Sequence, residues 1–426
     1  MDGQSHTFER LNMVQQQAWW RLNRFPLFVA ARTLSIVGDF AAAAALTIYL
    51  YQATQSGLAI SGFFAVRIVP RLLGPIGGAL ADRWNPLTLL ILCDVAACVF
   101  YLTIAWLQPG YFILLGMVLL AETAATVSAP AARTLIAKSV PAEYRGKANA
   151  VLMMIATVSM TAGSGVGGIV SALGYRYALI INAGTFVASA ILLSLIPLRS
   201  VSRVAEAKQP NLVNSTLSGV RALLKDRELS LIAFATAGTA FAVAVDRPAL
   251  IVLIGKSLHA GSSTYGFVLG TMSLGGLLAA SLALKSKRLA ASLRLFGSAV
   301  ALLAIGHLAI SASFTLALLF VAALTAGIAG SLRDISGTTL LQGFRNAKSL
   351  GVVMGTVMSG TFLADALGSL AGGLLINTVG PRLTYLVGGT MMLVIAVLTL
   401  WRSFTIDRAI PTEPAPVLIT PSSSTR

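Results

Sequence analysis

Six acidic side chains (Asp39, Asp94, Glu122, Asp246, Asp334 and Asp365) and five arginines (Arg32, Arg67, Arg71, Arg247 and Arg333) stand inside otherwise apolar stretches of the sequence. An ion exposed to hydrocarbon costs upward of about 2.5 kcal/mol, so eleven of them require partners or a water-filled cavity. Six acids against five bases is close to the balance that pairing needs. Arg32 and Asp39 are seven positions apart and share one helix face, as do Arg67 and Arg71 at four apart and Glu122 and Arg133 at eleven. The adjacent pairs Asp246-Arg247 and Arg333-Asp334 point about 100° apart on a helix, so each member is expected to seek a partner on another helix. A carboxylate in a low-dielectric cavity can take up a proton in one conformation and release it in the other. Asp39, Glu122 and Asp365 fall near mid-depth of their runs and are the first candidates for carrying protons or substrate. Asp246, Arg67 and Arg32 complete the set. A permanent interhelical ion pair is the alternative role for each.

The surrounding residues say what kind of element must hold these charges. Charged residues make up 11% of the 426 and the hydrophobic set 56%, against roughly 25% charged in a soluble domain. Too few polar side chains exist to coat a water-facing surface, and the mean hydropathy is +0.82. Apolar runs of spanning length recur at about 27–50, 57–81, 87–107, 111–137, 148–171, 175–197, 229–254, 262–284, 293–311, 314–342, 350–376 and 381–401. Lipid permits only helices or closed barrels, and the roughly ten-residue alternation of barrel strands is missing. The sequence therefore predicts an all-α membrane protein with twelve transmembrane helices in two six-helix bundles.

The net charge of +16 does not make this a nucleic-acid binder, which would need a basic stripe on a soluble face with aromatics for stacking. Lys and Arg sit between the apolar runs instead. Alternating the loops between two sides puts 23 of them on one side and only Arg176, Lys256 and Arg382 on the other. The positive-inside rule then places both termini in the cytoplasm. The predicted order is a cytoplasmic N-terminal segment (1–26), a first bundle (27–197), a cytoplasmic connector (198–228), a second bundle (229–402) and a disordered cytoplasmic tail (403–426). Trp19, Trp20, Arg21 and Arg24 suit an interfacial anchor, and the opening residues lack the apolar core of a cleavable signal. Within the connector, Leu217, Val220 and Leu224 with Arg221 and Lys225 fit either a surface-lying amphipathic helix or a solvated linker.

The two halves echo each other. Gly167-Gly168 followed by Gly174-Tyr175-Arg176 returns as Gly372-Gly373 followed by Gly380-Pro381-Arg382. Gly77-Gly78-Ala79-Leu80-Ala81 returns more weakly as Gly275-Gly276-Leu277-Leu278-Ala279. Offsets of about half a chain imply two parallel repeats about an axis along the membrane normal, a symmetry typical of transporters. Small residues four apart, as in Gly163/Gly167, Gly74/Gly78 and Gly368/Gly372, allow helices to approach closely in lipid. Gly163, Gly165, Gly167 and Gly168 are the expected packing positions of span five. Their fit to a dinucleotide fingerprint fails, because no strand precedes them.

Four stretches carry a family resemblance over residues 27 to 400: Ser35-Ile36-Val37-Gly38-Asp39; Gly74 to Arg83; Val140-Pro141-Ala142-Glu143 with Ala148-Asn149; and Gly163 to Gly168 with Ile181-Asn182-Ala183. The chain resembles a permease of the major facilitator superfamily, in particular the branch of enterobactin exporters and macrolide efflux proteins. That resemblance implies a latch of Gly78, Asp82 and Arg83, in which Asp82 and Arg83 hold the cytoplasmic helix ends together in the outward-facing state. Trp84, Asn85 and Pro86 depart from the family's Gly and first basic residue there. A second departure is in span four, where proton-coupled drug exporters of this family usually carry a deep arginine and this chain has Glu122, with Arg133 near the cytoplasmic end.

Other chemistries find no support in the residues. Gly255-Lys256-Ser257 lacks the glycine a phosphate loop needs five positions earlier, where Leu250 stands, so no nucleotide is expected. His6, His259 and His307 are scattered, neither paired with acids nor at metal-ligand spacing, and Cys93 and Cys98 read as packing residues. No metal, cofactor or enzymatic constellation is expected. The functional expectation is a monomeric secondary active transporter of the inner or plasma membrane, exporting amphipathic drug-like or siderophore-like molecules by proton antiport with alternating access. An uptake permease or uniporter is the alternative within transport, and a non-transporting sensor or assembly factor the alternative outside it.

Overall fold

The computed structural model describes residues 24–73, 80, 83–141, 144–197, 220–221, 223–261, 263–285, 292–342 and 350–406. Helices account for nearly all of them, as lipid demands of a chain that must satisfy its own backbone. Helix α1 spans Phe25–Thr54, α2 Gly57–Ile68 with a 3-10 extension Val69–Leu73, and α3 Pro86–Leu107. Helix α4 spans Tyr111–Ser139, α5 Arg145–Val170 and α6 Tyr175–Ser194. The second half holds α7 (Arg227–Asp246, continued by Ala249–Val252 and a π turn Leu253–Ser257), α8 (Ser263–Lys285), α9 (Leu293–Ser311) and α10 (Leu316–Gln342). The last helical stretch, Leu350–Ile406, breaks at Gly380, whose φ of 84° lies where only glycine is comfortable. With Pro381 behind it, the break separates α11 (350–379) from α12 (381–406). Gly174 repeats the turn between α5 and α6 with a φ of 109°.

Ten stretches of the described chain are long and apolar enough to cross a bilayer, and one of them, Val353–Ser403, contains both α11 and α12. With α2, whose description stops at Leu73, that makes the twelve helices the hydropathy predicts. Several helices overrun their apolar cores; α1 reaches Thr54 and α5 starts at Arg145, since polar end residues can stay helical in the headgroup layer. Caps fix the starts. Asn85 accepts hydrogen bonds from the Leu87 and Thr88 amides ahead of α3, and Asp226 accepts from Glu228 and Leu229 ahead of α7. In the connector, Val220, Arg221 and residues 223–225 are helical with Val220 and Leu224 exposed. Leu217 and the rest of 198–219, the N-terminal tryptophans and the tail from 407 lie outside the described residues.

The packing is inside out relative to a soluble protein. Large apolar side chains such as Phe112 (83% exposed) and Trp106 (66%) face outward, where lipid is the solvent. Helices α1 through α6 pack on one another, α2 through its contacts with α1 and α4, and α7 through α12 do likewise. The two groups meet along α5 against α8 and α2 against α11.

Glycines make those meetings possible, and their contacts repeat at a fixed interval. A methyl added to Gly163 or Gly167 of α5 would strike the α1 carbonyl oxygens of Val37 or Ala41 at 2.4 Å. Gly368 and Gly372 of α11 press on Phe241 and Val245 of α7 in the same way, at 2.3 and 2.1 Å. Each of these residues stands 204 or 205 positions after its counterpart. Between the groups, a methyl added to Gly168 of α5 would fall 2.6 Å from the Gly266 Cα of α8, and one added to Gly373 of α11 would fall 2.6 Å from the Ser61 Cβ of α2, again 205 apart. The half-chain repeat is thus carried down to single contacts. Gly165 differs from its neighbours, since a methyl there would meet nothing within 4 Å. It takes no part in helix packing among the described residues, as expected of a position about 200° around the helix from Gly163.

The two contacts between the groups lie near the helix ends away from the termini, Gly266 being the fourth residue of α8 and Ser61 the fifth of α2. Gly57 there also donates its amide to Asn377 Oδ1 (3.3 Å), and Gly255 in the π turn abuts the Tyr51 hydroxyl of α1. At that same end Arg176 lies over the Trp106 ring (4.6 Å) and Arg382 over Phe314 (4.4 Å). Arg382 also donates to the Ser311 carbonyl at 2.8 Å. Of the three basic residues on the lightly charged side, these two therefore anchor loops.

Candidate functional site: a charged cavity between the helix groups

Between the two groups lies a cavity of about 480 Å³, lined by four guanidiniums and four carboxylates. Helix α1 supplies Arg32 and Asp39, α2 Arg67 and Arg71, α3 Asp94 and α4 Glu122. From the second half come Arg247, just beyond α7, and Asp365 of α11. Packing follows the repeat, but charge does not: six of the eight ions belong to the first half. Phe40, Phe64, Tyr101, Phe186, Tyr265 and Met160 form apolar wall between them.

Three ion pairs cross helices. Arg67 donates through Nε to Glu122 Oε1 at 2.5 Å. Arg247 Nη1 sits 2.9 Å from Asp365 Oδ1. Arg32 Nη1 is 3.9 Å from Asp94 Oδ1 and its Nη2 donates to Ser128 Oγ at 3.4 Å, while Ser189 donates to Asp94 Oδ2 at 2.6 Å. Among the described residues, two cavity ions remain without an ion pair or hydrogen bond, Asp39 and Arg71. Arg71 is exposed and has the ring of Phe362 5.9 Å away.

The sequence-derived candidates thus divide. Asp39, Glu122, Asp365, Arg67 and Arg32 all come together in this cavity. Arg32 turns to Asp94 although Asp39 shares its helix face, and Glu122 is taken by Arg67 while Arg133 is exposed. Asp246 is elsewhere, sealed in the second half at 1% exposure, with its Oδ2 2.7 Å from Nδ1 of His307. This overturns the expectation that no histidine pairs with an acid: 61 positions separate the two, so spacing carried no signal of the contact. Gly388 and Tyr385 of α12 close the site, and a methyl at Gly388 would fall 2.2 Å from Asp246 Oδ1. The second correction concerns Arg333 and Asp334, which were expected to find separate partners. They pair with each other at the surface, where Asp334 is exposed and can bend back along its own helix; Arg333 Nη1 also donates to Thr239 at 3.3 Å. Of the latch, Arg83 is exposed, and Gly78 and Asp82 lie outside the described residues.

The pair in the second half is expected to serve stability. Asp246→Ala leaves the His307 Nδ1 buried without its hydrogen-bond partner, a loss that costs about 1–3 kcal/mol. Thermal unfolding of the purified protein in detergent should show a clear loss. An unchanged midpoint would contradict a structural role for the pair.

Helices wrapped in two groups around a charged, membrane-embedded cavity define a transport protein. The family model described as Major Facilitator Superfamily matches residues 28–293, more than half of the chain, and the chain belongs to that family. It is a multi-pass membrane protein that transports and does not catalyse a reaction. It is similar to the uncharacterized MFS-type transporter YfiS of Bacillus subtilis (strain 168), at 27% identity over 389 residues covering 87% of this chain and 91% of that one. A protein named "Putative bacilysin exporter BacE" of Bacillus amyloliquefaciens is 29% identical over 172 residues, 40% of this chain and 43% of that one. Among solved structures, a bacterial homolog of the human lysosomal transporter Spinster, inward-facing and unoccupied, superposes with a TM-score of 0.71 at 14% identity. That match covers 91% of this chain and 98% of the other and speaks to the fold.

Proposed function

We propose that this chain is a secondary active exporter of amphipathic small molecules, driven by proton antiport through alternating access, in the cell membrane with both termini cytoplasmic. The observation that carries the reading is Asp39, a cavity carboxylate left without an ionic partner while Asp94, Glu122 and Asp365 each have an arginine. An ionised Asp39 attracts a cationic centre or a proton, and it can hold one of them at a time. Taking up a proton therefore expels the cation, and binding the cation expels the proton, which is the exchange an antiporter requires. The three arginine-bound carboxylates hold the cavity wall in shape. Glycine contacts close the end away from the termini, so with the termini in the cytoplasm this conformation faces inward. The latch of Asp82 and Arg83 would close the other end after the groups rock.

Export rather than uptake is supported by the exporter resemblance of the span-five glycines and by the identity to BacE over 172 residues. The enterobactin-exporter and macrolide-efflux branch enters on the same footing. The test is flux in proteoliposomes under an imposed pH gradient, read with a panel of lipophilic cations. Substrate moving against the proton supports the reading. Substrate moving with the proton makes the chain an uptake permease, and flux indifferent to the gradient makes it a uniporter.

A further inference from the structure

The charge count of the cavity narrows the substrate further, and this step rests on the exporter reading above. Four guanidiniums and four carboxylates line the space, and three of each are already joined. What is left among the described residues is one cation, Arg71 at the 3-10 end of α2, and one anion, Asp39 in α1. We infer that the transported molecule is a zwitterion with a free carboxylate and a free ammonium, of the amino-acid or short-peptide kind, its carboxylate taken by Arg71 and its ammonium by Asp39.

The physical reason lies in closure. A carrier must pass through a state in which the loaded cavity is cut off from water on both sides, and an unpaired ion sealed in such a space is expensive. A simple cation would neutralise Asp39 and leave Arg71 facing the occluded space alone. A simple anion would do the reverse. A zwitterion satisfies both ions in the substrate-loaded state, so the loaded carrier closes more readily than the proton-loaded one, in which Arg71 stays unmatched. Arginine suits the anionic end because its planar fork meets a carboxylate with two parallel hydrogen bonds. Arg71 makes no ion pair or hydrogen bond among the described residues; the Phe362 ring lies 5.9 Å away and the joined pairs Arg67–Glu122 and Arg247–Asp365 are its charged neighbours. The remaining wall is mostly apolar, with Phe40, Phe64, Phe186 and Met160 among a few serine and threonine hydroxyls, and receives the side chains. A volume of about 480 Å³ falls within the range of about 300–1,000 Å³ usual for small-molecule sites. The second half contributes only the joined pair Arg247–Asp365 to the charged lining, so selection for charge falls to α1 and α2.

The experiment loads proteoliposomes with an apolar dipeptide, alanyl-phenylalanine, its N-acetyl derivative, its C-terminal amide and the lipophilic cation ethidium, each under the same pH gradient. The parent protein should carry the free dipeptide about tenfold faster than either blocked form, the effect of losing a charge-assisted hydrogen bond. Arg71→Gln should erase the preference between dipeptide and amide, whereas Arg71→Lys keeps most of it; gel filtration confirms that both variants are folded. Equal rates for dipeptide and amide in the parent, or gradient-driven flux of ethidium with none of the dipeptide, would overturn the zwitterion and leave the exporter reading standing. No flux of any compound under either orientation of the gradient would remove the exporter reading, and this inference with it.

Discussion

Replacing Asp39 by asparagine is expected to abolish proton-driven flux while leaving the protein folded. The substitution is nearly isosteric, and no ion pair or hydrogen bond of Asp39 is lost among the described residues, so nothing in the helix packing depends on its charge. What disappears is the one cavity carboxylate among the described residues that has no arginine partner, the group proposed to exchange a proton for a cationic centre. Removing one partner of a desolvated charge contact costs about 2–5 kcal/mol, which translates into a flux reduction of about thirtyfold or more. Glu122→Gln provides the contrast. It leaves Arg67, otherwise bonded at 2.5 Å, without its counter-ion in the wall, so that variant should lose thermal stability as well as flux. Full gradient-driven flux in Asp39→Asn, measured in proteoliposomes, would take Asp39 out of the mechanism.

The second large effect is conformational. A side chain at Gly168 has no room, because the Gly266 backbone lies 2.6 Å from where its first carbon would be. Backbone cannot step aside as a flexible side chain can, so Gly168→Leu must separate α5 from α8 in this state. Overpacking of this kind costs about 1–3 kcal/mol, enough to move a two-state equilibrium by about 5- to 150-fold. The effect can be read with a cysteine at Met160, which lines the cavity, in a background lacking Cys93 and Cys98. A membrane-impermeant thiol reagent should label it from the terminus-bearing side in the parent and mainly from the opposite side in Gly168→Leu. Gly165→Leu, placed in open space three residues away, should label like the parent. Identical labelling of all three would show that the α5–α8 contact does not govern access.

Much of this architecture is written in the sequence because lipid leaves so few choices. Twelve apolar runs had to become helices, and Gly174 and Gly380, each followed two positions later by arginine, mark turns that the backbone takes at positive φ. The half-chain repeat read from Gly167-Gly168 and Gly372-Gly373 reappears as equivalent contacts on α1 and α7. The buried charges were equally visible, since an arginine or aspartate in an apolar run needs a reason. Their partners were not. Spacing along one helix says which residues share a face, but Arg67 and Glu122 are 55 positions apart, and Asp246 and His307 are 61. Such contacts follow from which helices become neighbours, and hydropathy does not encode that. Asp39 is one acid among six in the sequence; that it alone of the four described cavity carboxylates lacks an arginine follows from where Arg32 and Arg67 turn, a property of the assembled bundle. Equally, Arg71 had no distinguishing mark until the other three arginines were accounted for.

At the centre of this account, one carboxylate holds either a proton or the substrate. The direct measurement is proton release when the fastest-moving compound of the flux panel binds to the purified protein in weakly buffered detergent solution. The expected result is release near one proton per carrier for the parent and none for Asp39→Asn. Binding without proton release in the parent, or equal release from both proteins, would contradict it.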